Sequence, residues 1–372
     1  MRERRSDDRR EEESTGECRR ARITATVLVA ALLGMMGATC AALLPACARQ
    51  PNAPTPADEV VVYTALDRQF SEPILSDFTA RTGITVSAVY DTESTKTVGL
   101  TNRIRAEANR PRCDVFWNNE ILNTLRLKDE GLLQPCDSAN GNAYPRQDRD
   151  PAGYWYGFAA RARVLIVNTD LVRPKEYPTS VYALADPKWK GRTAIAKPLF
   201  GTTASHVACL FAVLGQQPAA DLLDAMKAND VQIAAGNKAC AELVGAGRLA
   251  FALTDTDDAV AERDAGRPVQ IVFPDAGAGE PGTLLLPNTL ALVRGCPHPE
   301  AGRRLIDYLL SPAVEGRLAA GPSAQIPLHP AASTRSRVAG LATVRTMNVD
   351  FAHAARVFPA ASKYLEERFL TP

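Results

Sequence analysis

From residue 60 onward, β-branched apolar runs alternate with segments whose apolar residues fall at helical spacing. No other feature of this 372-residue chain constrains its fold as strongly. Val60 to Leu66 (VVVYTAL) reads as a buried strand. Phe70, Ile74, Leu75 and Phe78 then recur on one helical face, and Gly83 stops that helix. Ile84 to Tyr90 alternates like a strand, and Thr95 to Asn109 is helical. Cys113 to Trp117 is a short apolar strand, and Glu120 to Leu133 a further helix. This βαβαβα order predicts a mostly parallel sheet covered by helices. Ligands of such sheets sit beyond the carboxyl ends of the strands. That rule directs attention to Asp67-Arg68, to Asp91 through Thr95, and to Asn118-Asn119-Glu120.

The middle of the chain repeats the theme. Arg161 to Asn168 (RARVLIVN) and Thr193 to Ala196 read as strands, separated by a turn at Asp186 to Gly191 that carries Trp189 as an aromatic plug. Gly201-Thr202-Thr203 opens an apolar helix that runs through Leu214. Leu249 to Leu253 is a strand ending in Thr254-Asp255-Thr256-Asp257-Asp258. Gly282 to Val293 reads as extended chain that returns toward the first part. Helices near Glu300 to Leu310 and Pro312 to Ala319, and a last one over Phe351 to Phe369, close the sequence. No internal repeat of solenoid period occurs.

The N-terminus reads as an address. Arg19, Arg20 and Arg22 precede an uncharged apolar run of 22 residues, Ile23 to Leu44, the layout of a secretory signal. The run is also long enough to span a bilayer, so an uncleaved anchor is the alternative. Leu44-Pro45-Ala46-Cys47 resembles the lipobox of bacterial lipoproteins, with Gly37-Ala38-Thr39-Cys40 a poorer second candidate. The expectation is a signal peptide over 1–46, lipidation of Cys47, and a proline-rich tether over 47–58. The product would be exported, periplasmic or at the cell surface, and held to a membrane by its acyl chains.

Composition excludes several classes. A formal net charge of +1 argues against nucleic-acid binding. The cysteines and histidines are scattered without CxxC or HExxH spacing, which argues against zinc sites. Past Cys47 an odd set remains (Cys113, Cys136, Cys209, Cys240 and Cys296), which cannot all pair within the chain. Buried thiols are the expectation, with Cys113–Cys136 and Cys209–Cys240 the bridges that sequence leaves open.

Several motifs taken together resemble the bacterial extracellular solute-binding proteins, in particular the ferric-ion-binding branch that serves ABC importers. They are VVYTALDRQFSEPILSDFTARTGITV, DVFWNNEILNTLRLKDEGLL, LADPKWKGR, and PEAGRRLIDYLLSPAVEGRLA followed by AQIPLHP. The resemblance runs from about residue 60 to 330. It implies an α/β, two-lobed type II periplasmic binding protein fold with crossing hinge strands. Lobe 1 would comprise 58–158 and 285–372, and lobe 2 would comprise 159–284. It also implies a monomeric binding component, not an enzyme and without a resident cofactor, that hands Fe(III) with a synergistic anion to a permease and its ATPase.

Aligned on those motifs, this sequence departs from the branch's ligand set. The branch's adjacent tyrosine pair falls on Asp257-Asp258, its histidine near Asp67 or Arg68, and its carboxylate on Asn119, beside Glu120. Its anion-handling positions match Arg161 or Arg163, Thr202-Thr203 and Asn237, and Thr95 lies in a post-strand segment of the first lobe. Two readings follow. Asp67, Asp255, Asp257 and Asp258 could supply hard oxygens to a metal held with an anion. Alternatively the metal is lost, and Arg161 or Arg163 clamps an organic phosphate or phosphonate, with backbone N–H groups at Gly201-Thr202-Thr203 assisting. Thr254 to Asp258 also has the look of a plain helix N-terminus, with Asp255 or Thr256 as cap. Replacing either arginine is expected to weaken binding without unfolding the protein. His206, Trp155 and Tyr156 read as packing, and Arg303-Arg304 as solvated surface.

Overall fold

A computed structural model describes residues 59–92, 96–338 and 344–370. Cys47, the apolar run before it, the tether and Thr95 lie outside the described residues. The elements follow in chain order. The first group is β1 (Glu59–Thr64), α1 (Arg68–Thr82), β2 (Thr85–Tyr90), α2 (Val98–Ala106), β3 (Val115–Asn118), α3 (Leu122–Asp129), β4 (Leu133–Gln134) and α4 (Ala139–Asn142). The long β5 (Tyr156–Asn168) leads into β6 (Thr193–Ala196), α5 (Gly201–Leu214), α6 (Gln216–Ala228), β7 (Gln232–Ala234), α7 (Asn237–Gly245), β8 (Phe251–Asp255), α8 (Thr256–Asp264) and β9 (Val269–Val272). The chain returns through β10 (Leu285–Val293) and ends in α9 (Pro299–Leu309), α10 (Pro312–Ala320) and α11 (Phe351–Tyr364).

One strand path, β2-β1-β3-β10-β5-β8-β6-β7, links two parallel groups through antiparallel neighbours. β1 pairs parallel with β2 and β3, and β6 pairs parallel with β7 and β8. Only β5 and β10 cross between the groups. The first half of β5, through Ala162, pairs with β10, whereas Arg163 to Val167 pair with β8. Both strands are buried almost throughout and mostly apolar, with Arg161 and Arg163 of β5 and Asn288 and Thr289 of β10 as polar exceptions. Tilted ring contacts such as Trp117 against Phe158, 5.7 Å apart, lock the first crossing segment into the core.

Most of the predicted elements form, with ends shifted by a few residues. Gly83 closes α1 in the left-handed conformation its position demanded. Trp189 is buried edge-on against Phe251, so the predicted plug holds. The predicted helix from Glu120 to Leu133 is shorter, because the Glu120 carboxylate accepts from the backbone N–H of Leu122 and Asn123 and so precedes the helix. Cys113, Cys136, Cys209 and Cys296 are buried as thiols, and neither candidate bridge forms. Burial pushes Cys136 up to about 11, which leaves it unreactive at neutral pH.

The last helix does not stay with one half. Arg126 of α3 lies 4.8 Å over the Phe358 ring of α11, on the side of the first parallel group. Tyr364 packs against Phe211 of α5 and donates to Asp224 of α6 at 2.6 Å, on the side of the second.

The crossing strand β5 is pinned from behind by a buried carboxylate. Glu315 of α10 accepts from the N–H groups of Ala159 at 2.6 Å, Leu328 at 2.9 Å and His329 at 2.6 Å. Ala160 and Ile326 exchange two backbone bonds alongside. Glu315→Ala strands three buried donors at about 1–3 kcal/mol each. Urea unfolding should show a loss of at least about 3 kcal/mol, and a variant as stable as the parent would mean that water replaces the carboxylate.

Candidate functional site

The carboxyl ends of β1, β3, β6, β7 and β8 all open onto one cleft between the two parallel groups. Its walls carry Asp67, Lys96, Asn119, Arg161, Lys197, Thr202, Asn237, Asp255, Asp257 and Asp258. Asp67 and Asn119, from the post-strand segments singled out in the sequence, lie on its walls. The space left between the walls holds about one water molecule. Bonds cross it: the Gly201 N–H donates to the Lys96 carbonyl at 3.0 Å, and Ser205 Oγ donates to Glu120 at 2.8 Å. This is a shut cleft, and cargo exchange requires its walls to part.

Asp255 is the hub. It ends β8 directly opposite Arg163 in the register with β5. Its Oδ1 accepts from Arg163 Nη1 at 2.7 Å. Its Oδ2 accepts from Thr202 Oγ1 at 2.6 Å, Asn237 Nδ2 at 3.0 Å and Arg161 Nη1 at 3.3 Å. Burial opposes its ionisation, but Arg163, Arg161 and the Thr202 hydroxyl together hold its carboxyl below the usual range. It occupies the N-cap position of α8, yet its side chain makes no capping bond. The cap reading is thus right about place and wrong about task.

Arg163 is fully buried and does not line the cleft. It also donates to Thr202 and Thr203 at 3.1 Å and to Asn237 at 3.0 Å, so it positions the polar wall from beneath. Arg161 reaches the cleft itself, with Nη1 3.4 Å from Asp257 and Nη2 donating to the Asn119 carbonyl. Both arginines were expected on one face of β5, and both do converge on Asp255. The expectation that either could be removed without unfolding is revised, because each balances a buried charge. The N–H of Gly201, expected to greet an anion, is engaged by Lys96.

Two buried oxygens in this cleft have no hydrogen-bond partner among the described residues, Asp257 Oδ1 and Asn119 Oδ1. The Asn119 amide N–H is committed to the Ala65 carbonyl at 3.1 Å, which leaves its oxygen as the free end. Burial pushes the Asp257 carboxyl upward; Arg161 counters it, and the negative charge on Asp255 adds to the rise. One carboxylate oxygen from each of Asp255, Asp257 and Asp258 lies within 4.8 Å of the others. Hard oxygens at that spacing suit a hard cation.

Asp67 is half turned to solvent and takes Lys96 Nζ at 2.6 Å. Glu120 does not line the open part of the cleft; its carboxylate is spent on the start of α3 and on the cross-cleft bond from Ser205. His206 is packed as expected, with burial and the nearby Arg163 pushing it down to about 3, so it stays neutral. Trp155 and Tyr156 are buried as packing; Tyr156 donates to the Cys136 carbonyl at 2.7 Å. Sequence reasoning missed Lys96 and Lys197. Lys197 directly follows β6, so the same post-strand rule would have found it.

An α/β fold with two parallel groups, two crossing strands and one polar cleft at the strand ends defines a two-lobed binding protein. The family model described as bacterial extracellular solute-binding protein matches residues 123–353, and the chain belongs to that family. It is 28% identical over 292 residues to "Iron uptake protein A1" of Synechocystis, covering 74% of this chain and 79% of the relative. It is 26% identical over 277 residues to the "Putative 2-aminoethylphosphonate-binding periplasmic protein" of Salmonella typhimurium, covering 72% and 78%. The crystal structure of apo ferric ion-binding protein A from Pasteurella haemolytica superposes with a TM-score of 0.74 at 23% identity, covering 84% of this chain and 98% of that one. Family membership makes this a protein that binds a solute, not an enzyme.

Asp255→Asn leaves two buried guanidinium groups facing a neutral amide. Removing one partner of such a buried set costs about 3–5 kcal/mol. Urea unfolding of Asp255→Asn should show a loss of that order, while Asp258→Asn, half-buried, should lose less than about 1 kcal/mol. Equal losses at the two positions would remove Asp255 from the centre of the site.

Proposed function

We propose that this protein captures ferric iron as a ferric–anion complex and delivers it to an ABC permease. The observation that carries this reading is the pair of unpartnered buried oxygens, Asp257 Oδ1 and Asn119 Oδ1, beside the Asp255–Asp257–Asp258 cluster. Acceptors without donors call for a cation or a donor from the cargo. Charge then narrows the choice. Asp67, Asp255, Asp257 and Asp258 stand against Lys96, Lys197, Arg161 and Arg163, so the site is close to neutral on its own. A bare trivalent ion would arrive without enough counter-charge. An iron that brings a polycarboxylate with it would not, and Lys96 and Lys197 are the cationic groups on the cleft wall that can meet that anion, the Thr202 and Thr203 hydroxyls being committed to Asp255 and Asn237. Asp67, Asn119, Asp257 and Asp258 would hold the metal side, with Asp255 as the internal counter-ion. Lobe 1 is read as 58–158 with 285–372, and lobe 2 as 159–284. α11 bridges the two. An exported, monomeric protein held by lipid at Cys47 fits this role.

A second reading keeps the transport role and replaces the cargo by an aminoalkyl phosphonate. Such a zwitterion also suits a neutral site, and among the described residues no tyrosine lines the cleft. The relative from Salmonella typhimurium bears that ligand in its name.

Calorimetric titration with ferric citrate and with 2-aminoethylphosphonate separates the two. Tight binding of ferric citrate is expected, without the visible charge-transfer band that phenolate ligation would give. Asp257→Asn should weaken it about tenfold or more. The sign of the pH dependence follows from the raised Asp257 carboxyl. The metal competes with its proton, so affinity should fall as pH drops into the carboxylate range, with proton release on binding. Binding of the phosphonate alone, with ferric citrate inert, would overturn the iron reading.

A further inference from the structure

A second cavity, separate from the cleft, lies between α1, α9 and α10. It is open to solvent, has a volume of about 610 Å³, and shares no lining residue with the cleft. Its size falls in the range of small-molecule sites, about 300–1,000 Å³. The buried Phe78 and Val314 line it together with Tyr308, whose ring meets Phe78 at 5.4 Å. Four guanidinium groups border it (Arg81, Arg303, Arg304 and Arg317) against two carboxylates, Asp77 and Asp307.

The two carboxylates are already committed. Asp77 accepts from Tyr308 at 2.6 Å, Arg81 at 2.8 Å and Arg317 at 2.9 Å. Asp307 accepts from Ser138 Oγ at 2.6 Å and the Asn140 N–H at 3.0 Å, which ties α9 to the start of α4. Arg303 pairs only with Glu300, whose side chain is 82% exposed and easily exchanged for another anion. Arg304 is exposed and has no counter-ion among the described residues. With Glu300 set against Arg303, one positive charge is left over at the cavity's border, beside an aromatic and aliphatic wall, and a second is freed if an incoming anion displaces Glu300. Planar guanidinium groups suit phosphate or carboxylate oxygens taken two at a time.

We propose that this cavity is a second ligand site, for an organic dianion with a flat apolar body, of the class of aryl phosphate monoesters. The apolar body packs on Phe78, Tyr308 and Val314, and the phosphate is held by Arg303 and Arg304. The two arginines that read as plain solvated surface in the sequence are then the specificity residues of the site.

The probe is 1-naphthyl phosphate, titrated calorimetrically into the full-length protein. One-to-one binding is expected. Arg304→Glu should weaken it at least about tenfold, and the double variant Arg303→Ala/Arg304→Ala should do the same. Arg304 is exposed, so the urea midpoint should not move. Lys197→Glu, in the cleft, should leave probe binding intact. Loss in Lys197→Glu with retention in Arg304→Glu would put the probe in the cleft and overturn the proposal. Absence of binding at millimolar probe would overturn it as well.

Discussion

The buried pairing of Asp255 with Arg161 and Arg163 is the constraint on which the rest of the site depends. Charges are rarely left so far from water, because desolvation costs several kcal/mol per ion unless geometry repays it. Here it is repaid by bonds that also fix Thr202, Thr203 and Asn237. The location matters as much as the strength. Arg161 sits where β5 still pairs with β10, and Arg163 where it has passed to β8. One carboxylate thus ties together both sides of the crossover, and the cleft wall takes its shape from that knot.

How much of this was legible in the sequence depends on what each signal reports. The strands and most helices were legible because their residues alternate or recur with element periods, and Gly83 marks its own left-handed cap. Helices α6 and α7 were not, since their apolar faces are short and rich in alanine. The cleft was legible as a place, because strand ends converge in any sheet of this kind. Arg161, Arg163, Asp255 and Asp257 were legible as polar residues within buried strand ends. Their pairing was not. An arginine clamped on an external anion and an arginine clamped on Asp255 carry the same sequence signal, and only the register of β5 with β8 separates them. The unpartnered oxygen of Asn119 was equally hidden, since nothing in the chain says which end of an amide is spent.

The closed cleft and the helices behind it bear on motion. Closure in this family of folds is a hinge movement about a few strand residues. In this chain the crossing strand is held at Ala159 by Glu315, and α11 lies across both parallel groups. Any parting of the walls must therefore bend β5 and β10 near the arginine pair while α11 slides or tilts on one side. The bonds that cross the cleft, from Gly201 to Lys96, from Ser205 to Glu120 and from Arg161 to the Asn119 carbonyl, are few and polar. Water can replace them at small net cost when the cleft opens. Within the Asp255 knot, the bonds to Arg163, Thr202 and Asn237 all lie among the elements of the second parallel group, whereas Arg161 also reaches the Asn119 carbonyl of the first.

If, as the motif resemblance implies, Asp257-Asp258 stand where the ferric-binding branch carries a tyrosine pair, the chemistry expected of an iron site changes in a definite direction. A phenol must lose a proton with a pKa near 10 before it can bind a metal, and an aspartate one near 4. Carboxylates therefore hold a hard cation at a smaller proton cost, and with less of the covalent bonding that makes phenolate sites tight and coloured. Burial raises the Asp257 carboxyl above its ordinary range, so part of that advantage is given back at this position. At the same time Arg161 and Arg163 neutralise much of the negative charge a bare ion would need. Weaker donors with pre-cancelled charge cannot compete for naked iron against solution chelators. On the proposed reading they hold an iron that keeps its chelator, with Lys96 and Lys197 toward the chelator's surplus charge and the unpartnered oxygens of Asp257 and Asn119 toward the metal. The substitution that removes the expected ligands thus points to a cargo that carries ligands of its own.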